Sequence, residues 1–183
     1  SQLPNVSDEA FMQEYNSERE ELNALAQVDY ERTFHLKMRY LHRLYAQEGA
    51  SVLNSPACKD FIRRNEEWLI SYSVFCHRRD EEGTSYFPSW HMLSVYDEKE
   101  VRTYATEKGA EVGFYIYVQY LLSAQLSEVT SYARNKGVLL KGDIPIGISR
   151  TSVEAWKEPE YFNMQGSAGA PPDDFSEEGQ NWG

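Results

Sequence analysis

Apolar residues recur along most of this chain at spacings of three and four, the period of helices packed on one face. Residues 1–28 are polar and acidic, and a helix is expected over 7–26. Ser7 followed by Asp8 and Glu9 predicts an N-cap, an acidic first turn and a peripheral helix. Asp29 reads as the next N-cap. Phe34, Met38, Leu41 and Tyr45 follow it at helical spacing, and Gly49 reads as the stop. Ser55-Pro56 pairs a capping hydroxyl with a first-turn proline. Phe61 and Ile62 give the short helix after it an apolar face. Trp68, Leu69, Tyr72, Phe75 and Cys76 then predict a further helix to about residue 79. Residues 80–90, with Gly83 and Pro88, read as a loop. Residues 97–107 predict a modest helix. After Gly109 a long helix is expected over 110–136, closed by Gly137 in the C′ position.

Beyond Gly137 the pattern changes. Val138-Leu139-Leu140 is a short apolar, partly β-branched run and predicts a strand. Pro145 cannot donate to a ladder, so the strand should end near Asp143. That puts a carboxylate at the C-terminal end of a parallel strand, the edge where barrel and open α/β folds build their sites. Residues 151–156 predict one or two helical turns. Residues 166–183, rich in Gly, Pro, Asp and Ser, form a loop too long to be a mere connector. The organisation expected is a polar segment over 1–28, a helical subdomain over 29–136, and a strand, short helix and loop over 137–183.

Charge narrows the class of partner. Eighteen Lys and Arg against 29 Asp and Glu leave a net charge of −11 over 183 residues. Nucleic acid and anionic membranes both need a basic footprint, so neither is expected as a partner. The longest apolar stretch, 114–122, is interrupted by Gln119 and is far below the ~20 residues of a bilayer span. No secretory pattern stands at Ser1, and the two cysteines, Cys58 and Cys76, lack zinc-type or C-x-x-C spacing. A cytoplasmic location is the expectation, with Cys76 a buried thiol.

The candidate chemistry is sparse. His35 and His42 lie seven apart on a helix, where a zinc pair is usually four apart. His77 and His91 add no ligand pattern, so no metal is expected. The acidic runs 18–21, 66–67 and 80–82 read as helix ends or solvated faces. No G-x-S-x-G, P-loop or G-x-G-x-x-G pattern is present. Thirteen Tyr and four Trp could build a core or stack on sugars, and composition does not choose between them.

Two segments stand above this background. One runs Ala133-Arg134-Asn135-Lys136-Gly137, Val138-Leu139-Leu140, then Gly142-Asp143-Ile144-Pro145-Ile146-Gly147. The other is Gly169-Ala170-Pro171-Pro172-Asp173-Asp174-Phe175-Ser176 followed by Gly179-Gln180-Asn181-Trp182-Gly183. Ser152-Val153-Glu154-Ala155-Trp156 lies between them. In this order and spacing the segments resemble the amylomaltases, the 4-α-glucanotransferases of glycoside hydrolase family 77. Asn65-Glu66-Glu67-Trp68-Leu69 and Tyr117-Val118-Gln119-Tyr120-Leu121-Leu122 with Gln125-Leu126 carry the resemblance upstream. The plant cytosolic disproportionating-enzyme branch and its bacterial relatives look most similar, over about residues 29–183.

The resemblance implies a mainly α piece of a parent (β/α)₈ barrel: a helical insertion, one or two strands and an active-site lid loop. It implies retaining transfer of α-1,4-glucosyl segments from maltose or maltooligosaccharides to glucan acceptors, through an Asp nucleophile, a Glu acid/base and a second, stabilising Asp. The family carries its nucleophile in an R-x-D-H segment. This sequence contains none, so no catalytic residue is assigned and the fragment alone is expected to be inactive. Asp173, Phe175, Gln180 and Trp182 match loop positions that contact glucan, and Asp143 matches a site-shaping position. Asp174 stands where many amylomaltases carry Tyr, so ring stacking is not implied there. The partners implied are a glucan donor and acceptor, with no cofactor, and self-association of the fragment is a further expectation. The alternative is a non-enzymatic helical interaction domain. A hydrolase of the same barrel class would share the covalent intermediate.

Overall fold

The computed structural model describes residues 3–145 and 147–182. Its elements in chain order are α1 (Glu9–Asn23), α2 (Tyr30–Asn54), α3 (Pro56–Glu82), α4 (Glu98–Glu107), α5 (Gly109–Asn135), α6 (Val153–Lys157), β1 (Gly169–Ala170) and β2 (Gln180–Asn181). One-turn 3₁₀ helices occupy Phe87–Ser89 and Pro159–Tyr161.

Helix starts follow local chemistry. Asp8, Asp29 and Asp97 accept the backbone N–H three residues on, from Phe11, Arg32 and Glu100, at 3.0, 3.0 and 2.9 Å. Ser55 and Ser152 do the same for Cys58 and Ala155. Each such cap is worth about 1 kcal/mol. The first cap is Asp8 rather than Ser7, whose backbone N–H is instead bonded to Gln47 Oε1 at 2.8 Å. α5 ends at Asn135, and Gly137 closes it as expected. Gly137 has φ +75°, its N–H bonds Arg134 O, and the Val138 N–H bonds Ala133 O, which together form a Schellman closure.

Three expectations are corrected here. α2 runs through Gly49 to Asn54. Gly49 is there for space: a Cβ on it would lie 2.2 Å from the Tyr45 ring, and one on Gly113 would lie 2.6 Å from the Tyr45 hydroxyl. The two short helices expected after Ser55 are one continuous α3, extending to Glu82 before Gly83 turns the chain at φ +68°. The strand expected over 138–143 does not form. A strand needs a ladder partner, and among the described residues none pairs with this stretch. Val138, Leu139, Leu140 and Ile144 are 51%, 84%, 54% and 86% exposed.

The chain divides into two compact units, Ser1–Glu66 with Gly113–Val138, and Glu67–Val112 with Leu139–Gly183. In the first, Val6, Phe11, Leu44 and Tyr117 form the buried cluster, with Tyr15, Tyr40 and Tyr45 packed around it. Part of the aromatic wealth of this half is therefore core, while Tyr30, Phe34 and Tyr132 are exposed. Tyr117 is fully buried, and its hydroxyl donates to Glu48 Oε1 at 2.6 Å. Burial, reinforced by that carboxylate, pushes the phenol pKa far above its ordinary value. Phe34, one of the helically spaced apolar positions, is exposed, and Leu36, Leu44 and Gly49 are the buried residues of α2.

The second unit is centred on Leu69, Val74, Phe75, Trp90, Val101 and Trp156. It buries a charge. The Arg78 guanidinium is 4% exposed, pairs with Glu81 and Glu82, and lies 5.7 Å from the centroid of the Tyr104 ring. The Tyr104 hydroxyl donates to Glu81 Oε2 at 3.0 Å and meets His77 Nδ1 at 2.8 Å. His91 closes on Glu82 Oε2 at 2.8 Å. The 80–82 run is thus not wholly a solvated face: Glu82 is only 11% exposed and Glu81 is half-exposed. Cys58 and Cys76 are both buried and free.

Candidate functional site

The loop that follows α6 is assembled from a fixed base outward. Trp156 is 2% exposed and is surrounded by rings: Tyr96 edge-on at 5.0 Å, Phe75 at 5.6 Å and Trp90 at 5.9 Å. Its indole N–H donates to Leu93 O at 2.8 Å. Leu93 sits at φ +60°, a left-handed conformation that costs a non-glycine residue about 1–2 kcal/mol. The cost is offset by burial of its side chain and by that bond. Lys157 Nζ reaches Glu67 O at 3.2 Å, and Ser85 Oγ bonds Thr151 Oγ1 at 3.1 Å. The short helix α6 is thereby held at both ends.

Arg150 links this base to the loop. Its guanidinium donates to Met164 O, to Gly166 O at 2.5 Å and to Ser167 Oγ at 3.3 Å. Asn163 Oδ1 accepts the N–H groups of Gln165 and Gly166 and shapes the turn that presents those carbonyls. Beside it, Tyr161, Asn163 and Arg150 help line an open cavity of about 320 Å³.

Past Ala168 the chain forms an antiparallel ribbon, Gly169 opposite Asn181 and Ala170 opposite Gln180. Trp182 N–H to Ala168 O at 2.8 Å extends it. Gly169 is required because a Cβ there would lie 2.2 Å from Gln180 O. Gly179 is required by φ +75°. At the tip Asp173 and Ser176 exchange backbone bonds of 3.0 and 3.3 Å, leaving Asp174 and Phe175 as the two turn residues. Asp173 Oδ1 accepts from Phe175 N and Ser176 N at 2.9 and 2.8 Å and fixes that turn.

The structure thus gathers Asp173, Phe175, Gln180 and Trp182 on one ribbon. Phe175 is 96% exposed, presenting both faces of its ring to solvent. Trp182 is half-exposed, and its indole N–H donates to Gln180 Oε1 at 3.0 Å, so these two side chains are set as a pair. Asp143 is not brought to them. Its carboxylate accepts from the adjacent Ile144 N, and among the described residues no bond joins it to the ribbon. Ile146 and Gly183, quoted in the motifs, lie outside the described residues. Arg150, Asn163 and Tyr161 escaped the sequence reading. Only the capping Ser152 two residues on hinted that Arg150 would be held in place. Among the described residues no three His, Cys, Asp or Glu side chains converge to hold a metal ion. No described helix is long and apolar enough to cross a membrane.

The model of the glycoside hydrolase family described as 4-alpha-glucanotransferase matches residues 2–183. This chain belongs to glycoside hydrolase family 77. It is 42% identical over 159 residues to the rice 4-alpha-glucanotransferase DPE2, covering 85% of this chain and 17% of the rice protein. It is 34% identical over 184 residues to a 4-alpha-glucanotransferase of Chlamydia muridarum, covering 100% of this chain and 34% of that protein. An amylomaltase from Streptococcus agalactiae, solved in complex with acarbose, superposes with a TM-score of 0.69 over 97% of this chain and 39% of its own, at 24% identity. The fold described above is thus that of a part of an amylomaltase. The resemblance drawn from the G-D-x-P-I and G-Q-x-W-G segments holds across the whole chain, including residues 1–28. Relative to these family members the chain is short, spanning between about a sixth and two fifths of their lengths.

Proposed function

We propose that the protein carrying this family 77 chain is a 4-α-glucanotransferase that moves α-1,4-glucosyl segments from maltose or maltooligosaccharides to glucan acceptors. The family match over residues 2–183 carries the reading, and it favours an enzyme over a helical interaction module. The reaction is a retaining double displacement. A carboxylate nucleophile forms a glycosyl-enzyme, and a carboxylic acid protonates the leaving oxygen and then deprotonates the acceptor hydroxyl. Those carboxylates lie outside these 183 residues, since no R-x-D-H segment is present, and the chain alone is inactive. They sit on a (β/α)₈ barrel, to which residues 29–136 add a helical subdomain and 138–143 a strand once its neighbours supply the ladder.

The ribbon is the glucan-contacting lid. Phe175 and Trp182 offer flat apolar faces to the C–H side of a pyranose. Asp173 spends Oδ1 on its turn and turns Oδ2 to a sugar hydroxyl, and the Gln180 amide NH₂ donates to another. Asp143 shapes the site floor. A lid that excludes water lets a sugar hydroxyl compete as acceptor. Two buried, free thiols suit a reducing compartment, and the cytoplasm is proposed. Incubating the full-length protein with maltotriose tests the reading: transfer gives glucose together with chains longer than three, whereas hydrolysis alone gives only shorter sugars and would reject it.

A further inference from the structure

We propose that Arg150 is a positioning residue that transmits the rigidity of the α6 base to the ribbon, so that the ribbon meets glucan already ordered. The proposal rests on the glucan-lid reading above. Its first support is where Arg150 stands. On one side Ser149 Oγ accepts from Thr151 N at 3.2 Å, and on the other Ser152 caps α6. Thr151 is bonded to Ser85, and Trp156 is locked among three rings. The backbone from which the guanidinium projects is therefore fixed.

The second support is what the guanidinium does. In a chain with 29 carboxylates, no acid among the described residues pairs with Arg150. It bonds instead the carbonyls of Met164 and Gly166 and the hydroxyl of Ser167. Residues 162–168 form no helix or strand, so these bonds and the Asn163 turn hold them. A planar fork with five donors can take two carbonyls two positions apart, which a lysine ammonium cannot do in fixed geometry. Two residues beyond Ser167 the ribbon begins. Holding the ribbon in its bound shape removes ordering that a loose loop would undergo when glucan binds.

The test uses the full-length protein with Arg150→Ala and Arg150→Lys. Backbone amide exchange over 164–182 should quicken about tenfold in R150A, with R150K in between and exchange in α2 and α5 unchanged. KM for maltotriose should rise about tenfold with kcat changed less than about threefold, the split expected when binding alone is weakened. Unchanged exchange in R150A overturns the proposal, as does faster exchange with KM unchanged. Wild-type protein that fails to transfer glucosyl units rejects the glucan reading by itself. The exchange ratio then decides whether Arg150 orders the ribbon.

Discussion

Trp156→Phe removes one donor and part of one ring from the base of the candidate site. The indole N–H now satisfies Leu93 O at 2.8 Å in a buried position. Losing it leaves a buried carbonyl unpaired, at about 1–3 kcal/mol. The smaller ring also gives up contacts with Tyr96, Trp90 and Phe75, worth roughly another 1 kcal/mol by the cost of deleting buried apolar atoms. The left-handed Leu93 loses the bond that helps to hold it. The sum is about 2–4 kcal/mol, which at a mid-range urea slope of about 2 kcal/mol/M lowers the unfolding midpoint by about 1–2 M. In the isolated 183-residue chain the assay is specific to the second unit, because all four of its tryptophans, Trp68, Trp90, Trp156 and Trp182, belong to that unit. Tryptophan fluorescence in urea therefore reports its unfolding directly. A W156F midpoint within about 0.2 M of the parent would refute the reasoning, since an orphaned carbonyl cannot be that cheap. It would mean that water or a backbone shift satisfies Leu93 O.

Four other outcomes are expected. Gly169→Ala should abolish the ribbon, because its Cβ would lie 2.2 Å from Gln180 O; amide exchange over 168–182 should rise while the thermal midpoint of the helices is unchanged. Tyr117→Phe leaves Glu48 without its 2.6 Å donor and should cost about 1–3 kcal/mol, read as a lower melting temperature. Acid should destabilise the second unit: burial holds His77 below the usual imidazole range, and the Tyr104 hydroxyl and Arg78 hold Glu81 low against its desolvation. Both groups bind more protons unfolded than folded. Stability is therefore full above about pH 6.5 and declines as pH falls through the lowered folded values, first of His77 and then of Glu81; melting curves from pH 8 to 4 check this, and His77→Phe should flatten the upper part of the decline. Sedimentation of the isolated 183-residue chain should show self-association, since Leu122, Leu126, Val129 and Tyr132 are each more than half exposed at helical spacing on α5; a strict monomer would contradict that.

How far the sequence could be read depended on whether its signals were local. Asp29, Ser55, Asp97 and Gly137 act on neighbours within three or four residues, and each did what its chemistry requires. Gly49 carries the same letter as Gly137 but answers to the Tyr45 ring, so its role could not be inferred from neighbours in sequence. Phe34 belongs to the helically spaced apolar set yet is exposed, and Leu36 is buried, because packing partners choose among the faces that a helical pattern allows. The 138–143 run has strand character but no ladder partner among the described residues. The Arg78 cluster joins residues 77–82 to Trp90, His91 and Tyr104, a grouping only the fold creates. Motif order singled out the loop and the four residues that the fold gathers on one ribbon, whereas Arg150 left no such signal, since backbone carbonyls leave no mark in a sequence.

If the ribbon carrying Phe175 binds glucan for a transferase, Phe175→Ala in the full-length protein must weaken binding, and its KM for maltotriose is the measurement to make. Phe175 is 96% exposed, so its removal should leave folding intact. Loss of one ring–sugar contact of about 1.4 kcal/mol should raise KM about tenfold. A KM within about twofold of the parent, with transfer undiminished, would contradict it.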